Sequence, residues 1–348
     1  MSKRGKTILI IILAIIATSI FLILKKTPIK SSNKVNIFQD FSLLETESEQ
    51  FVISQVTKID FSQDKVFVFD QKQKKIFVFS ESFSYLYSIG SPGQGPGEME
   101  DPVDFAVYSD KIVVLERFPR KLDIFKLNGE FLERVNLKIP EEISYSYPSA
   151  ILPGPDKTFI IAYDLSDHLI DVYDAQGNYK STLLKRDKPI ITYRKNIGNE
   201  SAIGFYNQKK SIVHFNRLDG EFIEIYPDGV LGGKFRIQDA SLQKVARELR
   251  ANFEKEVRPS NIQTDIIGFL LYTNFCLDEK DNLYVAKLMS DKDNVGQKIW
   301  IFDSEQKCHA GLVRLPEGGK VKALYFGNGQ FYLVSDLEKI WVTKRRKP

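Results

Sequence analysis

Two carboxylates and one amide offer the most specific chemistry in this chain. When the first strand of each of six repeated units is aligned, Asp60, Asp104 and Asn274 fall in one column with Ala150, Gly204 and Leu324. Oxygen atoms at one level near an axis are what a hard cation such as calcium needs, so these three are a candidate metal site. A calcium-dependent hydrolase or lyase of the lactonase kind is the reading that follows from it. The donor set is short, since calcium takes about six to eight oxygens. In the competing reading the three side chains bond to backbone and channel water, and no cofactor is expected. The next column, Phe61, Phe105, Ile151, Phe205, Phe275 and Tyr325, is apolar in every unit and reads as packing between units.

A second candidate is a recognition surface. Arg117, Phe118 and Arg120 in one loop, and Asp164 and His168 around another, mix charge with an exposed aromatic. Segment 290–294 is a third loop of this kind. Such loops on a rigid scaffold suit a polar polymer or a protein, with solvated turns as the plain alternative. The three histidines, His168, His214 and His309, stand in different units with no neighbouring Cys or second His, so metal ligation is not indicated. The Gly-rich run Gly90–Gly97 lacks the Gly-Lys-Ser/Thr ending and the following helix of a phosphate cradle; it reads as a crossing between units. Cys276 and Cys308 fall on an inner and an outer strand of one unit, too far apart for a disulfide.

The elements that must position these residues are short strands. The phrases Ile76–Phe79, Leu122–Phe125, Ile170–Tyr173, Ile223–Tyr226, Ile299–Phe302 and Ile340–Thr343 repeat an aromatic-aliphatic motif, with steps of 46, 48, 53, 76 and 41 residues between their last positions. A period in the forties built from strands is the signature of propeller blades. Runs such as Val66–Phe69 and Ile112–Leu115 are apolar on both faces, as a sheet sandwiched between two others requires. The spacing predicts an all-β fold, a six-bladed β-propeller with four-stranded blades and inner strands near 57–61, 103–107, 149–152, 202–206, 272–276 and 322–326. The chain ends after the third strand of the last blade, so Asn36–Leu44 is expected to supply the fourth and close the ring. The 76-residue step holds an insertion near 239–260. There Leu242, Val245, Ala246, Leu249 and Phe253 form a helical stripe that Pro259 ends, either packed on the ring or acting as a lid.

At the N-terminus a basic segment, 1–6, precedes 18 residues without charge, 7–24, and a polar tether, 25–34; the propeller occupies 35–348. As a helix, 7–24 would span about 27 Å, close to a hydrocarbon core. It reads as an uncleaved single-pass anchor that places the propeller outside the cytoplasm; export after signal-peptide cleavage is the alternative. The net charge of +4 from 49 basic and 45 acidic residues gathers at the two ends of the chain, which leaves no nucleic-acid footprint.

Leu43-Leu44-Glu45-Thr46, the first-blade strand pairs and the stretch Ile89–Glu98 together resemble a bacterial family of six-bladed β-propellers related to NHL-repeat proteins. Asp278–Ala286 is similar to the NHL phrase that ends one strand and opens the next. The resemblance spans 35–348. It implies a propeller that is exported or envelope-associated, without naming a reaction. The expectation is then a membrane-anchored, non-enzymatic binding or scaffolding module for an envelope protein, peptide or glycan.

Overall fold

In a computed structural model, residues 36–345 are described except 109, 145, 165, 187–200, 256–270, 289–295 and 304. Six four-stranded antiparallel sheets form the blades of one ring. Blade 1 holds β2 (Val56–Ser62), β3 (Lys65–Asp70), β4 (Lys75–Ser80) and β5 (Tyr85–Ile89), and blade 2 holds β6 (Pro102–Tyr108), β7 (Lys111–Glu116), β8 (Lys121–Lys126) and β9 (Phe131–Asn136). Blade 3 is β10 (Tyr147–Pro153), β11 (Phe159–Asp164), β12 (His168–Tyr173) and β13 (Tyr179–Lys185). Blade 4 is β14 (Ser201–Tyr206), β15 (Ser211–Asn216), β16 (Glu221–Ile225) and β17 (Leu231–Arg236). Blade 5 comprises β18 (Tyr272–Leu277), β19 (Leu283–Lys287), β20 (Gln297–Phe302) and β21 (Cys308–Val313).

Blade 6 joins β22 (Val321–Gly327), β23 (Gln330–Ser335) and β24 (Ile340–Arg345) to β1 (Phe38–Leu44). The register Leu44↔Ile340 and Phe38↔Arg345 confirms that the two ends of the domain close the ring in one sheet. Closure gives blade 6 its fourth strand, and an apolar cluster joins that blade face to face with blade 1.

The core is distributed over the seams. Six buried apolar clusters occur among the described residues, and each draws its side chains from two neighbouring blades. This explains the doubly apolar strands: Phe67 and Phe69 face blade 2, while Val66 and Val68 face blade 6. Antiparallel order puts the blade-to-blade crossings and the second-to-third strand turns on one face of the ring. The opposite face carries the short turns. The Asn328-Gly329 turn there has φ of 50° and 70°, the geometry of a tight hairpin with two left-handed residues.

The inserted helix α1 runs from Ala240 to Lys255, on the crossing between blades 4 and 5. Asp239 caps it, its Oδ1 accepting the N–H groups of Ser241 (3.2 Å) and Leu242 (3.3 Å). Lys298 pairs with the other oxygen at 2.8 Å. Burial alone would raise the Asp239 pKa, but these bonds outweigh it and hold it at about 2. Leu242 and Ala246 enter the cluster between blades 4 and 5, so this part of the helix is packed on the ring. Among the described residues no helix is long and apolar enough to cross a membrane. The expected anchor, 7–24, lies outside the described residues. Cys276 and Cys308 are free, on β18 and β21 with two strands between them.

Candidate functional site

The column of oxygen-bearing side chains turns out to run along the seams. Asp60 accepts the Val107 N–H of the next blade at 2.9 Å and its neighbour Phe61 N–H at 2.8 Å. Asp104 accepts Ile151 N–H of blade 3 at 2.8 Å. Asn274 takes Leu324 N–H at 2.8 Å and donates to Leu324 C=O at 2.8 Å. Between blades 6 and 1 the same task falls to Tyr325, whose hydroxyl donates to Thr57 C=O at 2.6 Å. Asp60 and Asp104 also stand at different depths. Asp60 lies two residues before the last paired position of its strand, Ser62, and Asp104 four before Tyr108 (62 − 60 and 108 − 104).

A cation already sits among them. Lys58 Nζ lies 3.0 Å from Asp104 Oδ1 and 3.1 Å from Oδ2, and 5.7 Å from the centre of the Phe105 ring. Burial raises the pKa of both carboxyls, against the Lys58 charge and the backbone N–H bonds that favour the ionised forms. Among the described residues no group of three or more His, Cys, Asp or Glu converges as a metal cluster would. Sequence reasoning missed Lys58. Its signal was period-two spacing: Lys58 and Asp60 share one face of β2.

Where the column has no polar group, packing takes over. Gly204 leaves space for Phe275: a Cβ there would lie 2.7 Å from two ring carbons. The apolar second column behaves as expected, with Phe105 against Phe69 of blade 1 at 6.0 Å and Phe275 against Phe222 of blade 4 at 5.9 Å.

The Gly-rich crossing is pinned by one arginine. Arg134 on β9 bonds Asp123 at 2.6 and 3.2 Å and donates to the carbonyls of Gln94 (2.9 Å), Gly95 (3.1 Å) and Glu98 (3.0 Å). Glu116 accepts the N–H groups of Glu100 and Asp101 at the crossing's end. Gly93, at φ 152°, abuts the Glu98 carboxylate, so a side chain there would strain the backbone and displace that carboxylate. All these donors and acceptors serve the crossing itself.

On the crossing face the recognition candidates divide. Phe118 is 44% exposed in the turn between β7 and β8, edge-on to Tyr147 at 5.4 Å, with the Arg120 guanidinium 5.5 Å from its ring centre. Arg120 is fixed by donation to the carbonyls of Ser146 (3.1 Å) and Ser144, and Arg117 pairs with Asp101 at 3.2 Å. Asp164 ends β11 and receives the Ser201 N–H at 3.4 Å. His168 differs from its expected place in a loop. It lies in β12, only 4% exposed, beside Asp171 (3.1 Å) and Thr182 (3.0 Å). The structure thus gathers Arg117, Phe118 and Arg120 with Tyr147, turns His168 inward, and leaves 290–294 outside the described residues. His214 is also buried, bonding Ser201 at 2.8 Å through Nε2, while its Nδ1 has no hydrogen-bond partner among the described residues. His309 is exposed.

Comparison with solved structures places this geometry among other propellers. A Bacteroides fragilis protein described as exported matches with a TM-score of 0.61 at 15% identity, over 91% of this chain and 98% of that one. A Bacteroides vulgatus member of the DUF4221 family matches with 0.56 at 12% identity, over 89% and 97%. Virginiamycin B lyase from Staphylococcus aureus matches with 0.51 at 12% identity, over 84% and 80%. At such identities the likeness is one of fold alone. No curated protein matches the chain. A sequence family described as a six-bladed β-propeller matches residues 18–227, or 210 of 348 (227 − 18 + 1). With six closed four-stranded blades and a match over more than half its length, the chain belongs to the DUF5128 family of six-bladed β-propellers.

Proposed function

We propose that this protein is an extracytoplasmic, non-enzymatic binding or scaffolding module, held at the cell membrane by residues 7–24, whose partner is an envelope protein, peptide or glycan. Export after cleavage of that segment gives the same module without the tether. The observation that carries the reading is the exposed Phe118, held in place by Tyr147 and the bonded Arg120 on the face where the blade crossings gather. A fixed aromatic with the Arg120 guanidinium beside it loses little side-chain entropy on binding. The inner-strand carboxylates support it in a second way, because their lone pairs and the Lys58 charge serve the seams.

The test is site-specific photocrosslinking in cells carrying the full-length protein. A crosslinking residue at Phe118 is expected to capture a discrete envelope partner, and one at Val230, 57% exposed on the opposite face, to capture none. Equal capture at both, or none at Phe118, would sink the crossing-face assignment.

A further inference from the structure

The opposite face of the ring carries a groove that the crossing-face reading does not use. It lies between blades 5 and 6, has a volume of about 450 Å³, and is lined by Lys280, Tyr284, Phe326, Phe331, Lys344 and Arg345, with Asp278, Glu279 and Asn282 along one wall. Its cations are of two kinds. Arg345 is held: its Nη1 donates to the Tyr284 hydroxyl at 2.9 Å, and the guanidinium lies 5.7 Å from the centre of that ring. The hydroxyl in turn donates to Asp278 at 2.9 Å, and Tyr284 is fully buried. Lys280 and Lys344 are exposed, and neither ammonium has a partner among the described residues. The floor is aromatic, with Phe326 edge-to-face on the buried Phe331 at 4.9 Å.

From this arrangement we infer that the groove binds an acidic saccharide, a sugar carrying a carboxylate of the uronate class. Arg345, positioned by a buried tyrosine, and two unpaired lysines answer the ligand's carboxylate. The Phe326 ring offers an apolar surface for the C–H face of a pyranose. The wall decides between ligand classes. Asp278 is committed to the N–H groups of Lys280 and Asn282 at 2.9 Å each and to Tyr284, but Glu279 has no partner among the described residues and accepts donors. A carboxylate beside the lysines repels a densely charged polyanion, yet it accepts the hydroxyl groups of a sugar. The groove is open at the Asn328-Gly329 turn, where a Cβ on Gly329 would meet nothing within 4 Å, so a chain of several sugars can leave it there. This inference is independent of the crossing-face reading and survives its failure.

The experiment is calorimetric titration of the full-length protein with galacturonic acid trimer, maltotriose, triglutamate and inorganic phosphate. Saturable binding of the galacturonate trimer is expected, with maltotriose at least tenfold weaker. The variant Lys280→Ala/Lys344→Ala, which alters two exposed side chains and no bond of the fold, should weaken the trimer at least tenfold. Phe326→Ala should do the same, with Tm reporting its folding separately. Absence of saturation, or unchanged affinity in the double-lysine variant, overturns the site. Equal binding of phosphate reduces it to a plain anion site and overturns the saccharide assignment, as does tighter binding of triglutamate.

Discussion

The seam between blades 2 and 3 and the seam between blades 4 and 5 solve one problem with opposite chemistry. In the first, a buried carboxylate, Asp104, reaches across to Ile151 N–H and is compensated by Lys58. In the second, the inner strand carries Gly204, two residues nearer the end of its strand than Asp104 is in its own, and the ring of Phe275 fills the space. A bonded carboxylate fixes register because its acceptor geometry suits one N–H. A ring in a glycine-lined slot fixes spacing by exclusion. The ring therefore tolerates different residues along its inner strands, provided that each seam is either bonded or filled.

The largest effect should come from breaking the bonded seam. Asp104→Ala leaves the Lys58 ammonium, 21% exposed, and Ile151 N–H without partners, and should cost about 3 kcal/mol by urea denaturation. Asp104→Leu combined with Lys58→Met should recover most of that loss, because no charge is then left uncompensated. A double variant no better than the single would show that the carboxylate's bond to blade 3, rather than its charge, is what matters.

The seam between blades 3 and 4 has Ala150 in the column and a buried histidine farther out, which adds a pH test. Burial first, then Arg186 and Lys234, lowers the His214 pKa from 6.5 to about 4. The unfolded chain then binds more protons between those values, so stability is complete above about pH 6.5 and is lost as pH falls towards 4. The expected loss is about 3 kcal/mol from this group. The raised carboxyls of Asp60 and Asp104 act with the opposite sign, since there the folded state binds more protons and stability falls as pH rises through their window. The difference between wild type and His214→Gln, measured from pH 4 to 7, isolates the histidine. A constant difference across that range would contradict its burial in the neutral form.

The packed seam should respond less. Gly204→Ala places a methyl 2.7 Å from the Phe275 ring and should cost about 2 kcal/mol, with Phe275→Leu in the same chain relieving part of it. The smallest expected effect is that of calcium. A site filled to 100 times its dissociation constant would add about 2.7 kcal/mol, yet the carboxylates of Asp60 and Asp104 are engaged by three backbone N–H groups and Lys58. Tm is therefore expected to be the same in EDTA and in millimolar calcium. A calcium-dependent rise, lost in Asp60→Ala/Asp104→Ala, would restore the axial metal reading.

Much of the fold was legible because its signals are local. Period-two strands apolar on both faces, Gly-bearing turns and a step in the forties are written in neighbouring residues, and the count of strands made Asn36–Leu44 the piece that closes the ring. The inserted helix announced itself by its stripe, and its start at Ala240 falls inside the expected insertion near 239–260. The candidate site was less legible. The column placed Asp60, Asp104 and Asn274 on inner strands without saying whether they faced the axis or the next blade, because strand pleat and the bulges near Val56 and Pro102 set that direction. His168 looked like a loop residue because its neighbours are polar, and only the register of β12 turns it inward.

By itself, then, the amino-acid order determined the number of blades, the strands and the way the ring closes, since hydrophobic period and turn chemistry act over a few residues. Tertiary structure alone decided what the charged and polar side chains do. Lys58 and Asp104, 46 residues apart, meet across a seam, and Asp278, Tyr284 and Arg345 join into one chain of bonds beneath a groove. Such partnerships depend on side-chain direction and on blades distant in the sequence, and neither is encoded in local spacing.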